Sequence, residues 1–109
     1  KLFKAEGLLE KVTPPVEDSD CGHVYNQYVI RAKKRDALKD YLAKNGVGSD
    51  IYYPVPLHLQ ACFKDWGYKR GSFPVSEGAA RETLALPIYP ELTVKEIEYV
   101  VATIKKFYS

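Results

Sequence analysis

His58 stands in the stretch Ile51-Tyr52-Tyr53-Pro54-Val55-Pro56-Leu57-His58-Leu59-Gln60. An imidazole changes charge near neutral pH, and the tips of Tyr52, Tyr53 and Gln60 both donate and accept hydrogen bonds. Pro54 and Pro56 fix their own φ and push Tyr53 and Val55 towards extended backbone. A strand running through Ile51 must stop there and leave its sheet as a stiff segment. That segment carries four polar tips to one place, which is what a ligand-contacting loop requires. The same residues also suit a plain strand end with a hydrogen-bonded loop histidine.

Other chemistry is scarce. The chain has no Gly-x-Gly-x-x-Gly, no Gly-x-Ser-x-Gly and no Walker-type lysine loop. His58 has no acid close to it in sequence, and Gln60 does not exchange a proton usefully. Cys21, Cys62, His23 and His58 follow no zinc-ligand spacing, so no metal site is expected. Lys69 and Arg70, beside Tyr68 in a loop bracketed by Gly67 and Gly71, suit either a phosphate contact or plain solvation. No residue is assigned a catalytic or cofactor-binding role; the residues describe a binding or lid domain.

The elements that must position the loop follow from periodicity. Lys1 to Gly7 reads as the end of a helix, Leu8 to Val12 as a short extended piece, and Thr13 to Asp20 as a Pro-rich acidic connection. Residues 1–20 are therefore expected to be a helix end and linker, and 21–109 a single domain. Val24 to Arg31 alternates as a strand, with Val24, Asn26, Tyr28 and Ile30 on one side. Both sides carry aromatic or β-branched residues, which predicts a central strand with both faces at least partly covered. Lys33 to Arg35 reads as a surface turn.

Asp36 to Asn45 has a helical stripe of Leu38, Tyr41 and Leu42, stopped by Asn45-Gly46. Val47 to Tyr53 is a second expected strand, so that strand, helix and strand suggest a split βαβ arrangement. Leu57 to Trp66 suits one or two helical turns. Ser76 is the expected N-cap of a helix with Glu77 in its first turn, and Leu84 to Ile88 a third strand. Tyr89-Pro90 repeats the aromatic-proline device of Tyr53-Pro54. Thr93 and Glu96 form a capping box for a last helix whose Ile97, Val100, Val101, Ile104 and Phe107 make a core stripe.

The 109 residues suit one domain, and 46% hydrophobic with 28% charged is the balance of a globular protein. No apolar run approaches the roughly 20 residues that span a bilayer. The excess of 16 Lys+Arg over 14 Asp+Glu is too small and too scattered to argue for nucleic acid. Two distant cysteines make a reducing cytoplasm the default expectation. The chain holds no methionine and begins with Lys1, so it is expected to be an excised piece of a longer protein.

Several stretches together carry a resemblance. They are His23-Val24-Tyr25-Asn26-Gln27-Tyr28-Val29-Ile30-Arg31, Tyr53-Pro54-Val55-Pro56-Leu57-His58-Leu59-Gln60, Phe73-Pro74-Val75-Ser76-Glu77, and Ala79-Ala80-Arg81-Glu82-Thr83-Leu84-Ala85-Leu86-Pro87-Ile88-Tyr89-Pro90-Glu91-Leu92-Thr93. In order and spacing they resemble the DegT/DnrJ/StrS family of nucleotide-sugar aminotransferases. The resemblance covers nearly the whole chain. It departs at Ala61, where many relatives carry Pro, and at Asn26, where many carry His.

The resemblance implies an α+β fold, a small antiparallel sheet of about three strands covered by helices, as in the C-terminal domain of fold-type I transferases. It implies a homodimeric parent enzyme dependent on pyridoxal phosphate, moving an amino group from a donor such as glutamate to a keto-sugar on a nucleoside diphosphate. The Schiff-base lysine and the cofactor would lie in a large domain of the same parent, so this chain alone is expected to be inactive and to bind no cofactor. Its partners would be that domain and the nucleotide-sugar. By motif position His58 is the foremost substrate contact, with Tyr53, Tyr52, Gln60, Tyr89 and Arg81 beside it. A stand-alone regulatory module of the same fold is the alternative.

Overall fold

The computed structural model describes all 109 residues. Helix α1 (Leu2–Ala5) leads into strand β1 (Val12–Thr13), then β2 (Tyr28–Ala32) and helix α2 (Arg35–Lys44). Two 3₁₀ stretches, Leu57–Leu59 and Ala61–Trp66, precede α3 (Pro74–Glu82), β3 (Thr83–Leu86) and the long α4 (Val94–Tyr108). The strands form one antiparallel sheet in the order β1-β2-β3. The α+β class and the three-stranded antiparallel sheet are thus as expected.

Strand β2 is the centre of that sheet. Val12 stands opposite Ala32 on one edge, and Ile30 opposite Leu84 on the other. Alternation then decides the faces: Ile30 and Ala32 are buried while Arg31 is exposed. The buried side joins Val12, Leu38, Leu42, Leu84, Val101 and Ile104 in one core. Each large aliphatic side chain removed from water there stabilises the fold by about 1.5–3 kcal/mol.

Helix ends match their local chemistry. Asn45 is the C-cap of α2, and Gly46 at φ +73° lets the N–H groups of Gly46 and Val47 return to Ala43 and Leu42. Glycine takes this left-handed turn without a Cβ clash. At α4 the capping box is present: Glu96 N donates to Thr93 Oγ1 at 3.3 Å and Thr93 N to Glu96 Oε2 at 2.8 Å.

Four expectations are corrected. The central strand begins at Tyr28, not Val24, and Val24 is 88% exposed. The second strand reduces to a single bridge between Asp50 and Ala85. Gly46, Gly48 and the two prolines leave too short a run to propagate a ladder. Asp50 meets Ala85 on the edge of β3 away from β2, antiparallel to β3, so the split βαβ order is present with its second strand cut to one bridge.

Helix α3 starts at Pro74 with Phe73 as N-cap, not at Ser76. Proline at the first helical position has the required φ and forfeits only an N–H that has no partner there. Lastly, Arg35 is buried rather than part of a surface turn. Its guanidinium donates to the Thr83 carbonyl at 2.6 Å and the Ala80 carbonyl at 2.8 Å. Residues 1–20 divide in two: Phe3, Leu8 and Val12 enter the core, while no regular element lies between Thr13 and Tyr28.

Candidate functional site

After the Asp50–Ala85 bridge the chain leaves the sheet as Tyr52 to Pro56, and the Tyr52–Tyr53 peptide is cis. Pro56 then starts a tight turn in which Leu59 N returns to the Pro56 carbonyl at 2.9 Å. The outcome is a projecting corner: Tyr53 is 76% exposed, and Tyr52, Val55 and Leu57 are exposed beside it. A hollow of about 440 Å³ separates this corner from α3, with Tyr52, Tyr53 and Gln60 on one wall and Ser76, Ala79 and Thr83 on the other.

His58 is directed inward, behind the corner. It is 8% exposed and packs edge-on against Phe73, ring centroids 4.9 Å apart. Its Nε2 lies 3.1 Å from Glu77 Oε1. The same oxygen accepts from Gly71 N at 2.8 Å and Phe73 N at 3.4 Å. Tyr68 closes the arrangement by packing edge-on against Phe73 at 4.9 Å. One carboxylate thereby ties the turn at 57–60, the loop at 67–73 and the first turn of α3 into one body.

Burial by itself would raise the pKa of Glu77. The N–H of Gly71, the His58 side chain and the N–H of Phe73 outweigh it and hold the carboxyl below its ordinary value. Glu77 is therefore an acceptor at neutral pH. Burial pushes the Tyr28 phenol up, consistent with its place against the core.

The expected site residues separate into groups. Tyr52, Tyr53 and Gln60 share the hollow, but His58 does not line it; the ring is buried against Glu77, so the expectation that the corner brings all four polar tips to one place is corrected. Tyr89 lines a different, larger hollow of about 680 Å³ with Asn26, Asp50 and Glu96; Tyr52 lines both and joins them. Arg81 belongs to neither. It lines a basic cleft of about 670 Å³ with Lys11, Arg31, Lys33 and Lys34.

Sequence reasoning missed Glu77 as a partner of His58, seeing in it only a first-turn acid. The two are 19 residues apart, a separation with no signature of its own. The Phe-Pro-x-x-Glu spacing, which lets a helix's first turn reach back to the preceding backbone N–H, was the available clue. Cys21 and Cys62 are both exposed, and no three of His, Cys, Asp and Glu come together as a metal set.

Pyridoxal phosphate does not fit these residues. The buried polar side chains are Arg35, His58, Glu77 and Thr103, so no lysine occupies the desolvated position a Schiff base needs.

A model of the DegT/DnrJ/EryC1/StrS aminotransferase family matches residues 2–105. The chain is 46% identical over 103 residues to a pleiotropic regulatory protein of Geobacillus stearothermophilus, covering 94% of this chain and 28% of that one. It is 36% identical over 93 residues to the dTDP-3-amino-3,6-dideoxy-alpha-D-galactopyranose transaminase of Aneurinibacillus thermoaerophilus, covering 85% and 25%. DesV of S. venezuelae has the same fold, with TM-score 0.88 and 28% identity over 97% of this chain and 29% of its own. The chain thus spans 25–29% of the length of these relatives. The order of its motifs, the three-stranded antiparallel sheet and a match from residue 2 to residue 105 place this chain in the DegT/DnrJ/EryC1/StrS aminotransferase family.

Proposed function

We propose that this chain is the C-terminal small domain of a pyridoxal-phosphate-dependent aminotransferase acting on a nucleotide-linked keto-sugar. The whole protein would be a homodimer whose large domain supplies the cofactor and its lysine. The chemistry of amino transfer then lies outside this chain, which supplies orientation and exclusion of water. The observation that carries the reading is the corner at Tyr52–Gln60. Exposed phenols and a carboxamide stand over a hollow, on backbone stiffened by two prolines and anchored from behind by the buried His58–Glu77 pair.

Tyr53, Tyr52 and Gln60 meet the sugar end of the substrate, His58 approaches from behind, and Tyr89 adds a contact through the neighbouring hollow. Arg81 serves the contact between domains. The transaminase of Aneurinibacillus thermoaerophilus, named for a dTDP-linked amino sugar, supports this class of substrate.

The test uses the full-length protein carrying this chain. His58→Ala and Tyr53→Ala each raise KM for the nucleotide-sugar several-fold. The absorbance of the lysine-bound cofactor and the reaction with the amino donor stay unchanged. Loss of that absorbance would show that these residues hold the cofactor instead.

The relative named as a pleiotropic regulatory protein favours a second reading, a regulatory module of the same fold. A reading frame of aminotransferase length with an upstream active-site lysine decides for the enzyme. A short frame, or one without that lysine, decides for the regulator.

A further inference from the structure

The fold gathers basic residues that lie far apart in sequence. Lys33 N donates to the Lys11 carbonyl at 3.0 Å beside the Val12–Ala32 pair, which sets Lys11 next to Lys33 and Lys34 at the end of β2. Arg31 stands opposite Thr83, two residues after Arg81 in the last turn of α3. Strand register thus brings all of them to one cleft of about 670 Å³.

The charges in the cleft do not cancel. Of its carboxylates, Asp36 pairs with Arg35 at 2.7 Å and Glu82 with Arg31 at 4.0 Å. Lys11, Lys33, Lys34 and Arg81 are exposed and form no ion pair, and only Glu10 remains free against those four cations. Four cations against one carboxylate leave an excess of three positive charges, more than the net +2 of the whole chain, so general basicity does not account for it. A concave surface lined by one sign of charge focuses its field on whatever enters it.

The lining also says which kind of anion fits. Ala32 and Ala37 are its only apolar residues, and it holds no aromatic ring. Protein interfaces bury apolar and aromatic groups at their core, which this cleft does not offer. Nucleic acid calls for a basic patch or stripe larger than a single hollow. The volume is that of a small-molecule site.

We propose that this cleft binds a compact phosphate-type polyanion, a diphosphate group. Lys11, Lys33 and Lys34 hold its oxygens as point charges, and Arg81 on the α3 side adds its charge to the field. The cleft shares no lining residue with the hollow at the corner or with the one at Tyr89. The inference therefore does not rest on the function proposed above.

The group has two sources, free inorganic diphosphate or the diphosphate of a nucleotide, and the test separates them. The full-length protein carrying this chain is titrated calorimetrically with inorganic diphosphate at fixed ionic strength. Lys11→Gln and Lys33→Gln each raise Kd about three- to fivefold, the upper range for an exposed ion pair, and the double variant about tenfold or more. Lys64→Gln and Lys95→Gln, at exposed lysines outside the cleft, leave Kd unchanged. Unfolding midpoints stay at the wild-type value, so a loss of binding is not a loss of fold.

A nucleoside diphosphate that binds no more tightly than inorganic diphosphate makes the free anion the ligand. Tighter binding that the double variant also weakens makes the nucleotide the source. Diphosphate affinity indifferent to Lys11 and Lys33, equal losses in all four single variants, or no binding at millimolar concentration overturns the proposal. So does a glutamate-rich peptide that outcompetes diphosphate in the wild type and not in the double variant, which would make the cleft a docking surface for acidic protein. Turnover enters none of these measurements, so the proposed activity can fail without touching the result.

Discussion

Glu77 illustrates how much a single carboxylate decides here. Its oxygen serves two backbone N–H groups and an imidazole, and those contacts hold its pKa below the ordinary 4.5. Glu96 is lowered too, first by the Thr93 backbone N–H and then by its hydroxyl. A carboxyl whose folded pKa is depressed contributes stability above its unfolded pKa and loses it as pH falls towards the folded value. Thermal unfolding followed against pH should therefore show stability declining as pH falls through the ordinary carboxylate range. Glu77→Gln should reduce that acid-side slope. An unchanged slope would mean that Glu77 is not ionised in the native state.

Among elements, those marked by local chemistry were the ones legible in advance. The capping box of α4 and the glycine stop of α2 are satisfied within a few residues, so neighbouring side chains suffice to announce them. Thr93→Ala should cost about 1 kcal/mol in urea unfolding, and Thr93→Ser should be neutral, because serine caps at least as well as threonine. The second strand, in contrast, was read from residues that prefer extended backbone but find only Ala85 as a partner. Propensity reports on the chain itself, and a ladder needs an available edge.

Arg35 shows the same limit. Its type and its place after two lysines suggest solvent, yet it crosses to carbonyls 45 and 48 residues away. Arg35→Ala should cost about 2 kcal/mol or more, since one buried and one part-buried carbonyl lose a charged donor. Arg35→Lys should recover little, because an ammonium cannot span both. Equilibrium unfolding measures both.

At the scale of the molecule, large apolar groups remain exposed along the corner and its neighbours. Tyr53, Leu57, Trp66 and Val75 are each more than half exposed. A surface of this kind suits contact with more protein. The absence of a buried lysine makes a further prediction. Borohydride reduction of this chain with pyridoxal phosphate, followed by peptide mass spectrometry, should show partial labelling scattered over surface lysines. A single stoichiometric lysine would overturn the reading that the cofactor belongs to another domain.

Composition, the capping signals and the ordered motifs were enough to indicate an α+β domain and its family. These depend on residue type and on spacings of a few positions, which a linear reading measures directly. Only the tertiary structure decided that His58 faces Glu77, that Arg35 is interior, that β3 rather than residues 47–53 lies beside β2, and that Arg81 stands apart from Tyr53. Each of these joins residues distant in sequence, and the choice among such partners is made by burial of the whole core, which no local window contains.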